Sequence, residues 1–481
     1  MTEERTLQAP LFAWKGLFLS ALVALVLCWP MWLTGSVYVS EDTGSYIRAG
    51  QEIWDILLSL LPAGTPEANG TAGTGADAPI ADRLQADDEP RFGRSIAYSA
   101  FVYPVISFFG PLGLAMAQGM LVVFACLALL DRAALRSRVV LLVGLLALVV
   151  LSSLPWRSVY LMPDILGAVI VVFALALTGP FDRLSTWQKI TLTLLAAFAT
   201  ATHYGNVPLA AGLLLFVLAG RLVLARLTGA AIVGSLVVVM VAPVTNLAAS
   251  AVILEKPTAT PLRLPILLAR SLRDGPAAAY LAEACPEENW TMCAAFGDDV
   301  PTSISAFLWD EDGIRSLSAE TVDRIRDEEY ALLWQVFLTY PLEQSWSLGR
   351  NTALQMVRVG QGQMQAYDNM AAYGADGPRA PADVLRSFDP IVEWFTLLSA
   401  AALISLLAFA RPSAQQVSLV AVLTLALLAN AAIFGGLSAP VDRYQARLSW
   451  LIPALLILIV AQLTARSRAG RAPELENIGV S

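Results

Sequence analysis

Charged residues are scarce in this chain of 481 residues: only 15% are Asp, Glu, Lys or Arg, whereas 57% are hydrophobic. A soluble globular domain carries about 25% charged residues on a polar exterior, so the composition excludes that class. The mean hydropathy of +0.62 and the repeated long apolar runs predict an all-α, polytopic membrane protein.

Histidine and cysteine are also scarce, with one and four residues. A single histidine excludes a multi-histidine metal site. Cys28 and Cys126 fall inside apolar runs, where a thiol acts as a small hydrophobe. Cys285 and Cys293 lie eight residues apart in a polar segment, and in an oxidising compartment we expect them to form a disulfide. A zinc site is disfavoured because no further cysteine lies nearby.

Several catalytic and nucleotide-binding motifs are missing. The chain has no glycine-rich nucleotide loop, no GxSxG elbow and no HExxH, which disfavours ATP-driven transport and soluble-type hydrolysis. The net charge of -8 arises from acids in two long polar segments, whereas arginines concentrate in short links. This pattern gives no support for nucleic-acid binding.

The apolar runs predict about ten membrane-spanning helices, since roughly 20 residues cross a hydrocarbon core. The first run is taken as a retained helix and not a signal peptide because no small-residue cleavage site follows it. The runs cover residues 14–33, 96–130, 139–154, 164–178, 190–201, 207–220, 229–250, 391–410, 417–435 and 447–465.

The links between these runs predict the topology. With a cytoplasmic N-terminus, all five inner links carry arginine, as the positive-inside rule requires. The outer links then begin with a first loop, 35–93, and include the long segment 255–390. We therefore divide the chain into an N-terminal transmembrane module (1–254), an extracytoplasmic helical segment (255–390) and a C-terminal transmembrane module with a cytoplasmic tail (391–481).

Both long polar segments contain helical patterns. Residues 45–61 read as an amphipathic helix along the membrane interface, and the Gly/Ala/Pro/Thr-rich stretch 62–81 as disorder. In 255–390, helical pieces are joined by Pro/Gly turns, and Ser318 is positioned to cap one of them. Their apolar positions share one face, which we expect to pack on the membrane domain.

An acidic pair, Glu41 and Asp42, directly follows the first apolar run. Capping of the next helix is one explanation, because Ser40 or Asp42 could accept backbone N–H bonds. Capping needs only one such residue, however, and carboxylates at a membrane boundary are costly to keep. We therefore interpret the pair as candidate catalytic bases.

Asp164 follows Pro163 at the start of a later apolar run. Helix capping again explains an acid in a first turn. The topology nevertheless places Asp164 on the same side as Glu41 and Asp42. Asp42 and Asp164 could therefore share a divalent cation such as Mg²⁺ or Mn²⁺, or orient an acceptor together.

The segment before the last apolar run contains Asp442, Arg443, Tyr444 and Arg447. The two arginines are spaced i,i+4 and share one helical face. Snorkelling to lipid headgroups is one explanation. Because arginine is disfavoured at an outer helix end, we prefer a role in holding an anion such as phosphate, which suits the planar guanidinium.

Other outer-side polar residues form a looser group. Such residues are more often interfacial anchors than ligands, but a substrate-binding role stays open for them. The group comprises His203, Arg157, Arg94 and Tyr103.

The chain resembles the GT-C superfamily of multi-spanning glycosyltransferases, which includes protein O-mannosyltransferases and lipid A aminoarabinose transferases. The resemblance rests on the acidic pair and amphipathic helix of the first outer loop, on GRSIAYSAFVYP before the second span, on the outer Pro-Asp and on the late DRY. It implies sugar transfer from a polyprenyl-phosphate carrier to a hydroxyl acceptor. The chain lacks the WWD-type motif and the large C-terminal soluble domain of oligosaccharyltransferases.

The resemblance also implies roles for individual residues. Asp42 or Glu41 would be the base, Asp164 would assist it or bind metal, and Arg443 with Arg447 would contact the lipid phosphate. It implies a bacterial inner-membrane location with the site facing the periplasm or cell exterior, and membrane lipids as partners. A transporter or flippase for a lipid-linked glycan and a catalytically silent scaffold remain alternatives.

Overall fold

The computed structural model is built almost entirely of helices. It describes residues 12–59, 94–253, 257–258, 263–285, 287–297, 299–362, 364–370 and 383–478, and the structural statements below concern these. The stretch 62–81, for which the composition predicts disorder, lies outside the described residues.

The N-terminal half contributes helices α1 to α12 and strand β1. Helix α4 kinks at Gly110, whose φ of 67° lies in the left-handed region that glycine adopts without steric cost. The bounds are α1 Trp14–Leu27, α2 Trp29–Thr34, β1 Val37–Val39, α3 Thr43–Ser59, α4 Ile96–Cys126, α5 Arg132–Arg136, α6 Arg138–Leu151, α7 Leu154–Val159, α8 Gly167–Leu177, α9 Pro180–Arg183, α10 Thr186–Ala201, α11 Asn206–Val223 and α12 Gly229–Ile253.

The remainder contributes helices α13 to α22 and strand β2. A π-helical turn, Ala431–Gly436, extends α20. The bounds are α13 Ile266–Asp274, α14 Pro276–Ala284, α15 Thr291–Phe296, α16 Ile304–Leu308, α17 Ala319–Thr339, α18 Pro341–Val357, β2 Gln365–Tyr367, α19 Asp383–Phe409, α20 Ala414–Asn430, α21 Asp442–Ser449 and α22 Leu451–Ile478.

Seven helices in the described part of the chain are long and apolar enough to cross a membrane, which confirms the membrane class. Two further apolar helices, Arg138–Leu151 and Pro163–Leu177, are shorter. The count of ten spans stays a prediction. The seven are Trp14–Thr34, Ile96–Leu129, Asn206–Val223, Gly229–Val252, Ser387–Phe409, Ala414–Gly436 and Asp442–Arg468.

Helix α8 lies at the centre of the bundle. All of its residues are buried, as expected for a helix that is apolar on every side. It continues the short 3-10 turn Pro163–Leu166, which carries Asp164. The start of α8 therefore brings a carboxylate into the interior of the helical bundle.

Residues 263–340 build a second hydrophobic core with members such as Leu268, Phe307 and Leu332. The predicted disulfide between Cys285 and Cys293 is present, and the Ser318 side chain caps α17 by accepting from the Thr321 backbone N–H at 3.2 Å. These local features follow the sequence patterns closely.

One expectation for the segment 255–390, called the late segment below, is met only in part. The side of α18 that is buried is polar, with Gln344, Ser347, Asn351 and Gln355, while its large apolar side chains are exposed. Only some apolar positions of α18 pack on the membrane domain: Leu348 lies against Gly436, and Met356 packs on the main hydrophobic core. The polar face is buried because its amides find hydrogen-bond partners, among them the backbone of Val441 for Gln355.

Two contacts fix the first outer loop against the bundle. Helix α3 crosses α4 at Gly50, where a Cβ atom would lie 2.2 Å from the Ser99 carbonyl oxygen, so only glycine permits this approach. Strand β1 pairs antiparallel with β2, with Tyr38 opposite Ala366. The loop that carries Asp42 is thus held between α4 and a strand from the late segment.

Candidate functional site

Asp42 lies between β1 and α3, and its side chain forms ion pairs. Its carboxylate accepts from Arg94, and its Oδ2 lies 3.6 Å from Nη2 of Arg443. The surrounding turn is held by Thr43, whose hydroxyl accepts from the Ser40 N–H at 2.9 Å and donates to the Leu161 carbonyl at 3.2 Å. The local fold therefore orients the Asp42 carboxylate towards Arg94 and Arg443.

Arg443 lies in the first turn of α21 and reaches the first outer loop. Its Nη1 donates to the Ser40 hydroxyl at 3.3 Å, across 403 positions of sequence. Its guanidinium lies 5.0 Å from the centre of the Tyr444 ring, within cation–π range. Its Nε is buried without a hydrogen-bond partner, so the group retains an unused donor.

Arg447 lies one turn further along α21 and is completely buried. Its Nε and Nη2 donate to the Asn430 side-chain oxygen at 3.1 and 2.6 Å, and its guanidinium lies 3.8 Å from the Phe434 ring centre. Its Nη1 has no hydrogen-bond partner. Arg447 is thus a fixed, desolvated guanidinium with one free edge.

Asp164 and its neighbours carry further unused polar atoms. Asp164 is 2% exposed, and its Oδ1 has no partner. One turn on, a Cβ at Gly167 would lie 3.4 Å from Arg447 Cζ and 3.5 Å from Asn206 Oδ1, and the latter oxygen is also unpartnered. Because each unsatisfied buried group costs about 1–3 kcal/mol, this arrangement suits an internal water or a polar ligand.

We call Asp42, Arg94, Asp164, Arg443 and Arg447 the arginine–aspartate cluster. Two carboxylates face three guanidinium groups, so with all five ionised the cluster carries one net positive charge. This net positive charge favours the binding of an anion in the cluster.

The positive charge of the cluster also affects the pKa of His203, the only histidine in the sequence. The pKa of His203 is lowered to about 3 by burial first, and then by the charges of Arg447, Arg443 and Arg94. Its Nδ1 accepts from the Gly205 N–H at 3.1 Å, and its ring lies 5.2 Å from that of Phe434. The His203 side chain is therefore neutral at physiological pH and lies beside the three arginines.

A polar connection from the late segment closes one side of the site. Arg157 is buried, which lowers its pKa, and it donates through Nε and Nη2 to the Gln361 side-chain oxygen at 3.0 and 2.8 Å. The Gln361 N–H donates to Asp389 at 2.6 Å. Arg358 lies 3.8 Å from Asp442. Arg157 therefore binds the late segment, and it is also close enough to Asp164 and Arg443 to interact with their charges, with its Nη1 lacking a hydrogen-bond partner.

Some predicted site residues lie apart from the cluster. The Glu41 side chain is exposed and accepts from Gln365 at 3.3 Å, and Tyr103 packs beside Gly50 where α3 crosses α4. Tyr444, in contrast, touches the cluster: its hydroxyl accepts from Arg443 Nη2 at 3.4 Å, and its ring lies 5.1 Å from that of Phe434. A surface depression of about 630 Å³ lies elsewhere, beside the disulfide, and shares no residue with the cluster.

The cluster does not fit a divalent cation. Within the described ranges, no three His, Cys, Asp or Glu side chains are placed to hold a metal ion. Asp42 is already paired with Arg94 and faces Arg443. Because the nearby guanidinium groups would repel a cation, the mechanism proposed below uses neither Mg²⁺ nor Mn²⁺.

Sequence reasoning missed several contributors to the site, above all the amides Asn206 and Asn430. Both lie next to or inside apolar runs, and a polar residue at membrane depth is itself a signal of function or tight packing. Ser40 and Gln361 gave no comparable signal, since each lies in a polar stretch where such residues are common.

The helices define the class as a multi-pass α-helical membrane protein. Comparison of the chain with protein-family models, with curated proteins and with solved structures gives no match in any of the three.

Proposed function

We propose that this protein is a GT-C-like membrane glycosyltransferase that moves a sugar from a polyprenyl-phosphate carrier to a hydroxyl acceptor. The observation that carries the proposal is the 3.6 Å approach between Asp42 and Arg443. A proton acceptor and an anion-binding guanidinium from opposite ends of the chain meet at the start of α21. Both are needed for transfer from a lipid phosphate.

Asp42 is the proposed general base. The acceptor oxygen attacks the anomeric carbon and forms the new glycosidic bond while its proton passes to the Asp42 carboxylate. The bond from the anomeric carbon to the phosphate oxygen breaks, and its electron pair leaves with polyprenyl phosphate. We prefer Asp42 to Glu41 because the Glu41 side chain is exposed and bonds to Gln365.

The arginines are the proposed phosphate clamp. The leaving monoester carries one more negative charge than the diester donor, so guanidinium groups bind it more strongly as the bond breaks. Arg443 could exchange its contact with Asp42 for the phosphate, while Arg94 keeps the carboxylate paired. Arg447 Nη1 and Arg443 Nε are buried donors without partners and would complete the clamp.

Asp164 is the proposed positioning acid. Its unpartnered, buried Oδ1 is suited to accept a hydrogen bond from a sugar or acceptor hydroxyl, which would orient that group for attack. This role needs no metal ion. A metal-independent reaction is also chemically reasonable, since arginine can supply the electrostatic stabilisation of a monophosphate leaving group.

The cluster is proposed to face the extracytoplasmic side. The support is the distribution of basic links: Arg132 and Arg136 lie in α5, Arg138 begins α6, and Arg183 ends α9 just beyond α8. The cluster lies at the other end of α8, at Asp164. The positive-inside rule then assigns the arginine-rich ends to the cytoplasm.

The experiment compares donor cleavage with lipid movement. Purified protein in nanodiscs is given a panel of polyprenyl-phosphate sugars together with lipid, glycan and peptide hydroxyl acceptors, and release of polyprenyl phosphate is measured for wild type, Asp42→Asn and Asp182→Asn. Asp182 is the matched control, since it also pairs with a buried arginine, Arg221, but at the far end of α8. We expect release to be lost only in Asp42→Asn.

Other outcomes decide between the alternatives. Transbilayer movement of intact lipid-linked sugar, without cleavage, would replace the transferase with a flippase. Equal release by wild type and folded Asp42→Asn would remove Asp42 as the base and with it the proposed mechanism.

A further inference from the structure

Helix α18 buries polar side chains and exposes several large apolar ones. Its buried side is polar: Gln344 accepts from Arg270 at 2.9 Å and Asn351 donates to Asp274 at 2.8 Å. Its large apolar side chains point outward, with Leu342 79% and Trp346 72% exposed, and the charged residues Glu343 and Arg350 are exposed as well. In a water-soluble helix the arrangement is the reverse, so the outward face of α18 is not suited to water.

The end of α17 continues the same apolar surface. Trp334 is 58% exposed, and Tyr330, Phe337 and Leu338 are also exposed on this helix, with the Trp334 and Phe337 rings 5.8 Å apart. Residues 330–342 contain no charged residue, whereas the first half of α17 is rich in Asp, Glu and Arg. Charge is thus segregated along the helix, with the apolar part at the α17–α18 turn.

The position of α18 brings this surface to the end of a span. Helix α18 packs directly on the π-helical turn that ends the span Ala414–Gly436. A Cβ at Gly435 would lie 2.3 Å from the Gln355 side chain, and one at Gly436 would lie 2.7 Å from Leu348. The two glycines allow close contact, so α18 is held at the end of a span by its C-terminal half, and the α17–α18 turn lies eight residues from Leu348, or about 12 Å along the helix.

We infer that the α17–α18 turn inserts its apolar face into the adjacent lipid leaflet. The face comprises Tyr330, Trp334, Phe337, Leu338, Leu342 and Trp346. Tryptophan and tyrosine prefer the membrane interface, and an apolar helical face buries itself among headgroups and upper acyl chains. Because α18 is held at the end of a span, we take the bilayer as the occupant of this face, and the charged half of α17 remains in water.

Site-directed spin labelling tests this inference on the full chain. In a background with Cys28→Ala and Cys126→Ala and the disulfide kept, a nitroxide is attached at Leu338→Cys. Arg324→Cys, exposed in the charged half of α17, is the water-facing control. Leu215→Cys, exposed on the span Asn206–Val223, is the lipid-facing reference.

Collision rates with oxygen, which concentrates in lipid, and with a water-soluble nickel chelate are then compared in nanodiscs holding one chain each. We expect the oxygen-to-nickel ratio at Leu338 to exceed that at Arg324 several-fold and to approach that at Leu215.

A ratio at Leu338 equal to that at Arg324 would place the face in water and overturn the inference. Low rates with both reagents, with spin–spin broadening in nanodiscs holding two chains, would assign the face to a second copy instead. None of these readouts depends on sugar transfer.

Discussion

Replacing Arg443 by alanine is the most direct perturbation of the proposed clamp. If Arg443 stabilises the departing phosphate, its loss should lower kcat by about 10²- to 10³-fold, or about 2.7–4 kcal/mol of transition-state stabilisation. The folded state should lose less, about 1.5–3 kcal/mol, the usual contribution of a hydrogen bond to a charged group. The loss stays moderate because Asp42 keeps its ion pair with Arg94.

Arg221→Ala is the matched control for stability. Arg221 is equally an arginine in a buried ion pair, and its Nη2 donates to both Asp182 oxygens at 2.8 and 2.9 Å. It caps the far end of α8 at Leu177, ten residues or about 15 Å from Gly167. We expect a similar loss of stability in this variant but unchanged kcat in its folded fraction.

The assay measures release of polyprenyl phosphate at saturating donor, normalised to the monodisperse fraction from size-exclusion chromatography. Arg443→Lys should give an intermediate rate, because lysine keeps the charge but loses the planar fork. Wild-type kcat in folded Arg443→Ala would refute the clamp. An equal loss of kcat in Arg221→Ala would show that the assay reports stability and not leaving-group stabilisation.

Two further predictions concern the framework of the site, and a third concerns the disulfide. Gly50→Ala should separate α3 from α4 and lower both thermal stability and activity, whereas Gly220→Ala, which meets open space, should be neutral in both measurements. Stability should fall as the pH drops from about 6.5 towards 3. The reason is that unfolded chains protonate His203 over this range, whereas the folded site lowers the pKa of His203 to about 3. In an unfolding titration, His203→Gln should flatten this decline. Replacing Cys285 and Cys293 by serine should cost about 2–3 kcal/mol, given the small loop closed; a calorimetric scan showing no change would contradict it.

The fold was predictable where its causes are local. Hydropathy and helical period predict the bundle class, the Ser318 cap follows from its own sequence pattern, and the disulfide follows from two cysteines in one polar segment. The β1–β2 pair was not predictable, because its strands have three residues each and lie more than 300 residues apart. The polar buried face of α18 depends on partners supplied by distant helices, which no periodicity reveals.

The site shows the same division. Asp42, Asp164 and Arg443 could be proposed from residue type and topology alone. Their partners could not, because the hydrogen bond between Ser40 and Arg443 joins residues 403 positions apart. Arg157 illustrates the limit, since its residue type suggests substrate binding, which stays a prediction, but does not reveal its bond to Gln361.

The cluster joins the two ends of the chain, and this has a consequence for biogenesis. Asp42 and Asp164 enter the membrane early in synthesis, whereas Arg443 and Arg447 emerge only with the final span. A ribosome stalled after residue 410 would leave Asp164 inside a bundle that still lacks both late guanidinium groups. Synthesis of α21 is therefore the event that assembles the charge balance of the interior, and chains that stop before Arg443 should be exposed to quality-control proteolysis.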